Sequence, residues 1–154
     1  AILTPMETRS LTTDPPPWEL LLLGDESPDS VADYIDRSQC YIAVAEDRTV
    51  GVCMVIRTHP FTVEIVNLAV DPAYQRRGIG TELLFHALRK AREEGYRRVE
   101  IATADVETGP LALYRSFGFE PVEIDRGYFP KYYPAPIIEA GQECRDLVRL
   151  RMEL

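Results

Sequence analysis

Two glycines and two arginines stand together in the segment Gln75-Arg-Arg-Gly-Ile-Gly-Thr81. Because glycine has no Cβ, a ligand can approach the backbone closely there, and positive φ angles are allowed. The residues that follow predict a helix, whose first amide groups lack a partner within the helix and lie at the positive end of its dipole. A diphosphate is the natural ligand of such a helix start. The three residues directly before the first glycine add hydrogen-bond donors and positive charge; they are Gln75, Arg76 and Arg77.

The common nucleotide-binding motifs fit this segment poorly. A Walker A loop requires Gly-Lys-Ser/Thr, whereas Gly80 is followed by Thr81 and Glu82. A dinucleotide fingerprint requires a third glycine at position 83, which is Leu83. The two glycines instead follow an apolar strand ending Leu-Ala-Val-Asp-Pro72 and open an amphipathic helix. A tight strand-to-helix turn that binds nothing is the alternative.

The pattern resembles the GNAT acetyltransferase superfamily, whose hallmark is Gln/Arg-x-x-Gly-x-Gly/Ala, present here from Gln75 to Gly80. A second segment, Leu113-Tyr-Arg-Ser-Phe-Gly-Phe119, is similar to the family's downstream Leu-Tyr-x-x-x-Gly-Phe. The resemblance covers at least residues 40–125, and the C-terminal tail looks like that of small bacterial members without a characterised substrate. It identifies no acceptor.

By this resemblance the acyl donor is acetyl-CoA, used as a co-substrate. The backbone of Leu68, Ala69 and Val70 would pair with the pantetheine arm as an additional strand would. The pyrophosphate would lie on the glycine-containing segment at the start of the helix. Its residues are Gln75, Arg76, Arg77, Gly78, Ile79, Gly80 and Thr81.

Acetyl transfer to an amine requires a base for the protonated amine and an acid for the departing thiolate, on opposite sides of the thioester. Tyr114, in the second motif, is the candidate acid, because an ordinary phenol is protonated at neutral pH. Glu64 is the candidate base: it is charged within an apolar strand and lies 11 residues before Gln75, as in histone-type members of the family. If no bulge intervenes, Glu64 shares a face with Val66 and Leu68. The alternatives are that Tyr114 is only a core residue and that Glu64 is only a solvated or salt-bridged strand residue. A chain of water molecules would then serve as the base.

Acceptor specificity is predicted to come from residues 18–33 and from the aromatic segment 127–134, interpreted as a loop that forms a wall or lid. Tyr128 and Tyr132 are its candidate acceptor contacts. Asn67, placed by alternation on the face opposite Glu64, could position water or the acceptor. Four acidic residues could attract a cationic amine or could simply be solvated. They are Asp25, Glu26, Asp29 and Asp33.

The predicted fold is α/β: a mixed, largely antiparallel central sheet of six to seven strands with about four helices on both faces. Residues 1–154 are interpreted as a single acetyltransferase domain. The main predicted strands are 40–45, 50–57, 62–70, 98–103, 119–124 and 145–154, and the helices are 18–23, 30–37, 78–94 and 111–117.

The amino-acid composition limits the classes of molecule that the protein is expected to bind. The net charge of −8, from 25 acidic and 17 basic side chains, disfavours a nucleic-acid binder and suits a cationic acceptor, either a small amine or a peptide. Three cysteines without a Cys-x-x-Cys pair indicate a reducing compartment. The absence of a long apolar run predicts a cytoplasmic protein without a membrane partner. A homodimer is consistent with the family's habit.

His59 and His86 are isolated and are interpreted as loop or helix-surface residues, so no metal site is expected. Cys53 stands in an apolar run, as a reduced core residue does. Two functional alternatives to an N-acetyltransferase are an acyl-CoA-binding sensor that catalyses nothing and a transferase of another acyl group such as succinyl.

Overall fold

The computed structural model describes residues 6–12, 14–106 and 109–154. Nine strands and five helices lie within these residues. The strands are β1 Met6–Ser10, β2 Gln39–Ala45, β3 Arg48–His59, β4 Thr62–Val70, β5 Arg98–Ala104, β6 Glu120–Asp125, β7 Ile137–Glu139, β8 Gln142–Cys144 and β9 Leu147–Glu153. The helices are α1 Trp18–Gly24, α2 Pro28–Ile35, α3 Ile79–Glu93, α4 Gly109–Ser116 and α5 Tyr128–Tyr132.

Seven strands form one sheet in the order β1-β2-β3-β4-β5-β9-β6, and β7 and β8 form a separate hairpin. Every neighbouring pair in the large sheet is antiparallel except β4 and β5. The predicted mixed, largely antiparallel sheet of six to seven strands with helices on both faces is therefore confirmed.

Each face of the sheet carries its own hydrophobic core. One core, which we call the α3-face core, joins apolar side chains of α3 and α4 to the sheet, among them Leu83, Leu84 and Leu111. The other, the α1-face core, joins α1 and α2 to the sheet through Leu21 and Val31. Helix α3 supplies seven buried residues at helical spacing, which explains why its extent is well predicted by the sequence pattern.

Strands β4 and β5 separate partway along their length. Their parallel pairing covers only Thr62–Ile65 and Arg98–Ile101, although β4 continues to Val70 and β5 to Ala104. Beyond Ile65 the edge of β4 that faces β5 has no strand partner among the described residues. We call this opening the β4–β5 gap.

A β-bulge at Val66 changes which side chains of β4 face each core. Met54 of β3 pairs with Asn67, and the next residue, Val55, pairs with Ile65, so Val66 is the additional residue. Ile65 and Leu68 both pack in the α3-face core. The expectation from uninterrupted alternation holds for Val66, which lines the same cavity as Glu64, but is wrong for Leu68 and Asn67. Glu64 shares a face with Asn67 and not with Leu68, because the bulge shifts the period-two pattern by one residue.

The segment between β6 and β9 also differs from expectation. The predicted aromatic loop contains the short helix α5, and the hairpin β7–β8 follows it. Helix α2 begins two residues earlier than predicted, at Pro28, where the side chain of Ser27 accepts a hydrogen bond from the backbone of Ser30.

Candidate functional site

The start of α3 is an open backbone turn. Gly78 has a φ of 80° and Arg76 a φ of 63°, both in the left-handed region that favours glycine. No side chain caps the helix, and its first turn closes with the Glu82 N–H donating to the carbonyl of Gly78 at 3.0 Å. The amide groups before Glu82 therefore have no acceptor within the helix.

The polar residues before Gly78 surround this turn. The Gln75 amide donates to the backbone oxygen of Val70 at 3.1 Å, which ties the turn to the end of β4. The Arg77 guanidinium lies 5.0 Å from the centre of the Tyr74 ring, and the side chain of Arg76 is exposed. A Cβ added at Gly78 would meet no atom within 4 Å, so the turn faces open space. A doubly charged phosphate group fits this arrangement.

A cavity of about 310 Å³ opens beside the β4–β5 gap. Its floor is formed by both separating strands, including Ile65, Val66 and Thr103. Its polar and aromatic walls come from α1, α2, β4, α5 and β9. They include Asp25, Tyr34, Glu64, Tyr128, Tyr133 and Arg149.

Glu64 lies in this cavity and is hydrogen-bonded to Arg149 of β9. Burial raises the pKa of the Glu64 carboxyl, and the guanidinium of Arg149 opposes that shift. The charge of Glu100 on the neighbouring strand acts in the same direction as burial. A carboxylate with a raised pKa is a stronger base than an exposed carboxylate, so Glu64 at the edge of this cavity is suited to accept a proton.

Tyr114 lies on the other side of the sheet. Its side chain is buried in the α3-face core, 7% exposed, and its ring lies 6.2 Å from that of Phe119. Burial raises the pKa of the phenol, with smaller contributions from Cys53 and Glu139, so it is protonated at neutral pH. Tyr114 does not line the cavity that contains Glu64; the sheet and its gap lie between the two residues.

Asn67 is a buried link between elements. Its side chain is 3% exposed, and its amide donates to the carbonyl of Leu21 at 2.8 Å and to the hydroxyl of Tyr34 at 2.9 Å. The Asn67 Oδ1 atom has no hydrogen-bond partner among the described residues. The structure thus places Asn67 behind the cavity wall, holding α1 and α2 on β4.

The aromatic segment contributes different residues from those expected. Of the two predicted acceptor contacts, Tyr128 lines the cavity, whereas Tyr132 is 59% exposed and lies outside it. Tyr133 takes that place, and its hydroxyl donates to Asp25 at 2.9 Å. The reason is local: α5 turns Tyr132 outwards, and the chain becomes extended again at Tyr133.

Comparison with known proteins agrees with this geometry. A sequence model of the GNAT acetyltransferase family matches residues 7–119. The chain belongs to the GNAT acetyltransferase family.

Individual relatives in this family cover nearly the whole chain. YvbK of Bacillus subtilis (strain 168), an uncharacterised N-acetyltransferase, is 42% identical over 137 residues, 89% of this chain and 88% of the relative. The structure of an IAA acetyltransferase from Bacillus cereus ATCC 14579 superimposes with a TM-score of 0.93 at 39% identity, covering 97% of this chain and all of that one. A GNAT structure from Elizabethkingia anophelis with acetyl-CoA bound has a TM-score of 0.92 at 35% identity, covering 97% and 98%.

Within this GNAT fold, sequence reasoning missed two cavity residues, Arg149 and Tyr133, and left Asp25 as one of several acidic residues. Arg149 fits the regular alternation of polar and apolar residues in β9, so the sequence does not distinguish it from Arg151. No signal in the sequence brings Tyr133 to Asp25, because they are 108 residues apart.

Other polar candidates are structural. Cys53 is fully buried, as expected of a core residue. His86 is not on the helix surface as predicted; it packs against Tyr41 with ring centres 4.8 Å apart, and burial lowers its pKa. No group of three or more potential metal ligands occurs among the described residues. None of the helices described has the length and apolarity that crossing a bilayer requires.

Proposed function

We propose that residues 1–154 act as a single N-acetyltransferase domain that transfers the acetyl group of acetyl-CoA to a primary amine of a small molecule or peptide. The observation that carries this proposal is the placement of Tyr114 and Glu64 on opposite faces of the sheet, with the β4–β5 gap between them. A thioester in that gap would have an acid on one side and a base on the other, as direct attack by an amine requires.

The donor half of the proposal rests on the open turn before α3 and on the unpaired edge of β4. The amides from Arg76 to Thr81 would hold the pyrophosphate, assisted by the side chains of Gln75, Arg76 and Arg77. The backbone of Leu68, Ala69 and Val70 borders the gap and would pair with the pantetheine arm. Bound there, acetyl-CoA supplies the activated acyl group.

Each proton in the proposed reaction has a named path. The acceptor enters as an ammonium group and loses one proton to Glu64, directly or through a water. Glu64 passes that proton to solvent, and the amine nitrogen attacks the thioester carbonyl carbon. As the C–S bond breaks, the nitrogen loses its second proton to Glu64, which again passes it to solvent. Tyr114 donates its proton to the departing sulfur and regains one from solvent, so the net change is one proton on the thiol and one in solvent.

Tyr114 is suited to donate a hydrogen bond to the departing sulfur and does not persist as a phenolate. An ordinary thiol has a pKa of about 8.5 and an ordinary phenol about 10, and burial raises the pKa of Tyr114 further. The phenol is therefore protonated whenever the sulfur leaves, and it stabilises the thiolate by hydrogen bonding until the proton is shared or transferred.

The compartment proposed for this reaction is the cytoplasm. All three cysteines, Cys40, Cys53 and Cys144, are buried free thiols. Burial raises their pKa values, which keeps them as unreactive thiols. Such cysteines are typical of proteins kept in a reducing environment.

The test is a thiol-release assay with acetyl-CoA and a panel of amines, combined with calorimetric binding of CoA. We expect Tyr114→Phe to bind CoA like the unchanged protein and to release thiol at least tenfold more slowly. Tyr41→Phe is the matched control, because Tyr41 is also a buried phenol but lies beside His86. CoA binding without thiol release for any amine would instead identify a sensor, and preference for succinyl-CoA a different acyl transferase.

A further inference from the structure

Asp25 carries a negative charge that no cation in the described part of the chain neutralises. Its carboxylate accepts hydrogen bonds from the Tyr133 hydroxyl at 2.9 Å, the Ser30 hydroxyl at 2.5 Å and the Ser27 amide at 3.2 Å. These three donors are neutral, so they orient the carboxylate and leave its charge in place. None of the salt bridges among the described residues includes Asp25, in contrast to Glu64, which is paired with Arg149.

Three tyrosines surround this charge. The Tyr133 hydroxyl contacts Asp25 directly, and the pKa of that phenol is raised by burial and then by the hydrogen bond to Asp25. Burial raises the pKa of Tyr34 to about 12, and the charge of Asp25 adds to the shift. The pKa of Tyr128 is raised in the same way, first by burial and then by Asp25. We call these four residues, Asp25, Tyr34, Tyr128 and Tyr133, the Asp25 cage.

An anionic carboxylate among aromatic rings is the arrangement that recognises an ammonium group, since both the charge and the ring faces attract a cation. All four residues of the Asp25 cage line the cavity of about 310 Å³ that also contains Glu64. Burial raises the pKa of Tyr128, and the charges of both Asp25 and Glu64 add to that shift. One cavity thus has two carboxylate positions, Glu64 on β4 beside the β4–β5 gap and Asp25 directly after α1.

The size and net charge of the cavity limit the ligand further. Ligand cavities range from about 300 to 1,000 Å³, so this one is suited to a compact molecule. Three carboxylates line it, Asp25, Glu64 and Glu139, against two guanidinium groups. Arg149 is held by Glu64, and Arg37 by Asp33 outside the cavity.

We propose that the acceptor is a compact aliphatic diamine or oligoamine: one ammonium group binds in the Asp25 cage while a second amine, beside Glu64, is acetylated. This inference rests on the proposed acetyltransferase function and names the acceptor class of the same site. Asp25 binds the part of the substrate that does not react, so its effect falls on recognition.

The test compares 1,4-diaminobutane with n-butylamine, which has the same chain and one amine, in the thiol-release assay. We expect kcat/KM at least tenfold higher for the diamine, and a diamine KM that rises with ionic strength. In Asp25→Asn the amide oxygen can still accept the hydrogen bond from Tyr133, and the new NH2 group can donate to the Ser30 hydroxyl, but the charge is gone. The ratio of diamine to n-butylamine kcat/KM should then fall to about one.

Asp29→Asn is the matched control, because it makes the same change of charge at an exposed residue outside the cavity. It should keep the diamine advantage. Calorimetric CoA binding equal to that of the unchanged protein shows that Asp25→Asn is folded, and Tyr133→Phe, which keeps the ring, provides a second variant expected to reduce the advantage less.

The outcomes separate the two proposals. Equal kcat/KM for the two amines, or a retained diamine advantage in Asp25→Asn, overturns the diamine inference and leaves the acetyltransferase proposal standing. A peptide N-terminus that exceeds both amines does the same. CoA binding without thiol release for any amine overturns both.

Discussion

At the residue scale, the reactivity proposed for Glu64 depends on two opposing effects. Removal from water disfavours the carboxylate, and Arg149 favours it. Burial is the larger of the two, so the pKa of Glu64 is raised although the residue is ion-paired. A general base works best when its pKa lies near the working pH, and a raised carboxyl pKa moves Glu64 in that direction.

Replacing Glu64 with glutamine tests the base. If Glu64 must be ionised to accept the proton, kcat/KM of the unchanged protein rises with pH as the carboxyl deprotonates. Glu64→Gln should lower kcat/KM by roughly a hundredfold or more and abolish that rise. Glu120→Gln, a matched change at an exposed position of β6, should alter neither. A pH–rate profile in Glu64→Gln that keeps its acidic limb would assign the base to another group.

Replacing Arg149 tests whether its positive charge lowers the pKa of Glu64. Because Arg149 lowers the pKa of Glu64, Arg149→Gln should raise that pKa further and move the acidic limb of the pH–rate profile to higher pH. Arg98→Gln is the control, since Arg98 pairs with exposed Glu153 at 3.4 Å on the same sheet. A limb that moves to lower pH in Arg149→Gln would contradict the assignment.

At the element scale, the turn before α3 depends on a glycine with positive φ. Gly78→Ala places a Cβ on a residue with a φ of 80°, which should destabilise the fold by about 1 kcal/mol and weaken CoA binding. Gly109→Ala is the matched control, because that glycine has no neighbours within 4 Å and no positive φ. Urea unfolding measures the loss of stability, and calorimetry with CoA measures the loss of binding. Equal stability of Gly78→Ala and Gly109→Ala would argue against backbone strain at residue 78.

Helix α1 docks on β4 through a close approach that only glycine allows. A Cβ at Gly24 would lie 2.1 Å from the Asn67 Oδ1 atom. Gly24→Ala should therefore destabilise the protein by about 1–3 kcal/mol, the usual range for an overpacked site.

A double-mutant cycle checks this contact. Asn67→Ala alone should also destabilise the protein, because it removes the donor of the Tyr34 hydroxyl and one of the two donors of the Leu21 carbonyl. The two changes together should cost less than their sum, since removing the amide makes room for the new Cβ. Strict additivity would show that the close approach is unimportant.

The elements differ in how well their sequences specify them. Helix α3 is predicted almost to the residue because its apolar positions keep one helical period. Strand β4 is predicted equally well because a run of β-formers lies between two proline-containing segments, although the bulge at Val66 breaks its alternation. The hairpin β7–β8 escapes prediction, since its turn residues Ala140 and Gly141 both have positive φ but lack the Asn-Gly or Asp-Gly signature. The segment 127–134 is interpreted from the sequence as a loop, whereas α5 forms within it, with Pro130 in the first turn, where proline is compatible with a helix.

At the scale of the whole molecule, the sheet separates two cores of unequal size. The α3-face core is the larger and includes the 15-residue helix α3, whereas the α1-face core is covered by helices of 7 and 8 residues. The cavity lies on the side of the smaller core. Short helices with few buried residues are the elements that open first in local unfolding.

Native-state hydrogen exchange tests this difference. Amides of α1 and α2 should exchange faster and with a smaller opening free energy than those of α3 and β4. Adding CoA should slow exchange at the start of α3, whereas 1,4-diaminobutane should slow it in α1 and α2. Uniform protection across both cores would contradict the expected order of opening.

The donor and acceptor halves of the site were unequally predictable for a physical reason. The turn from Gln75 to Thr81 is continuous in the chain, so its residues and spacing are visible in the sequence. The cavity collects Asp25, Tyr133 and Arg149 from distant elements, and their meeting depends on how those elements pack. Amino-acid composition can suggest an acidic, aromatic wall but cannot select its members.

The additional residue at Val66 has a consequence for protein engineering. It shifts the alternation of β4 by one residue, so counting residues along the strand does not show which face of the sheet a side chain occupies. A glutamate grafted by sequence alignment into a relative whose β4 has no bulge would keep its position relative to the helix-start motif. Its carboxylate would nevertheless enter the α3-face core, opposite to the acceptor cavity. Transfer of this base to another scaffold therefore requires transfer of the irregularity as well.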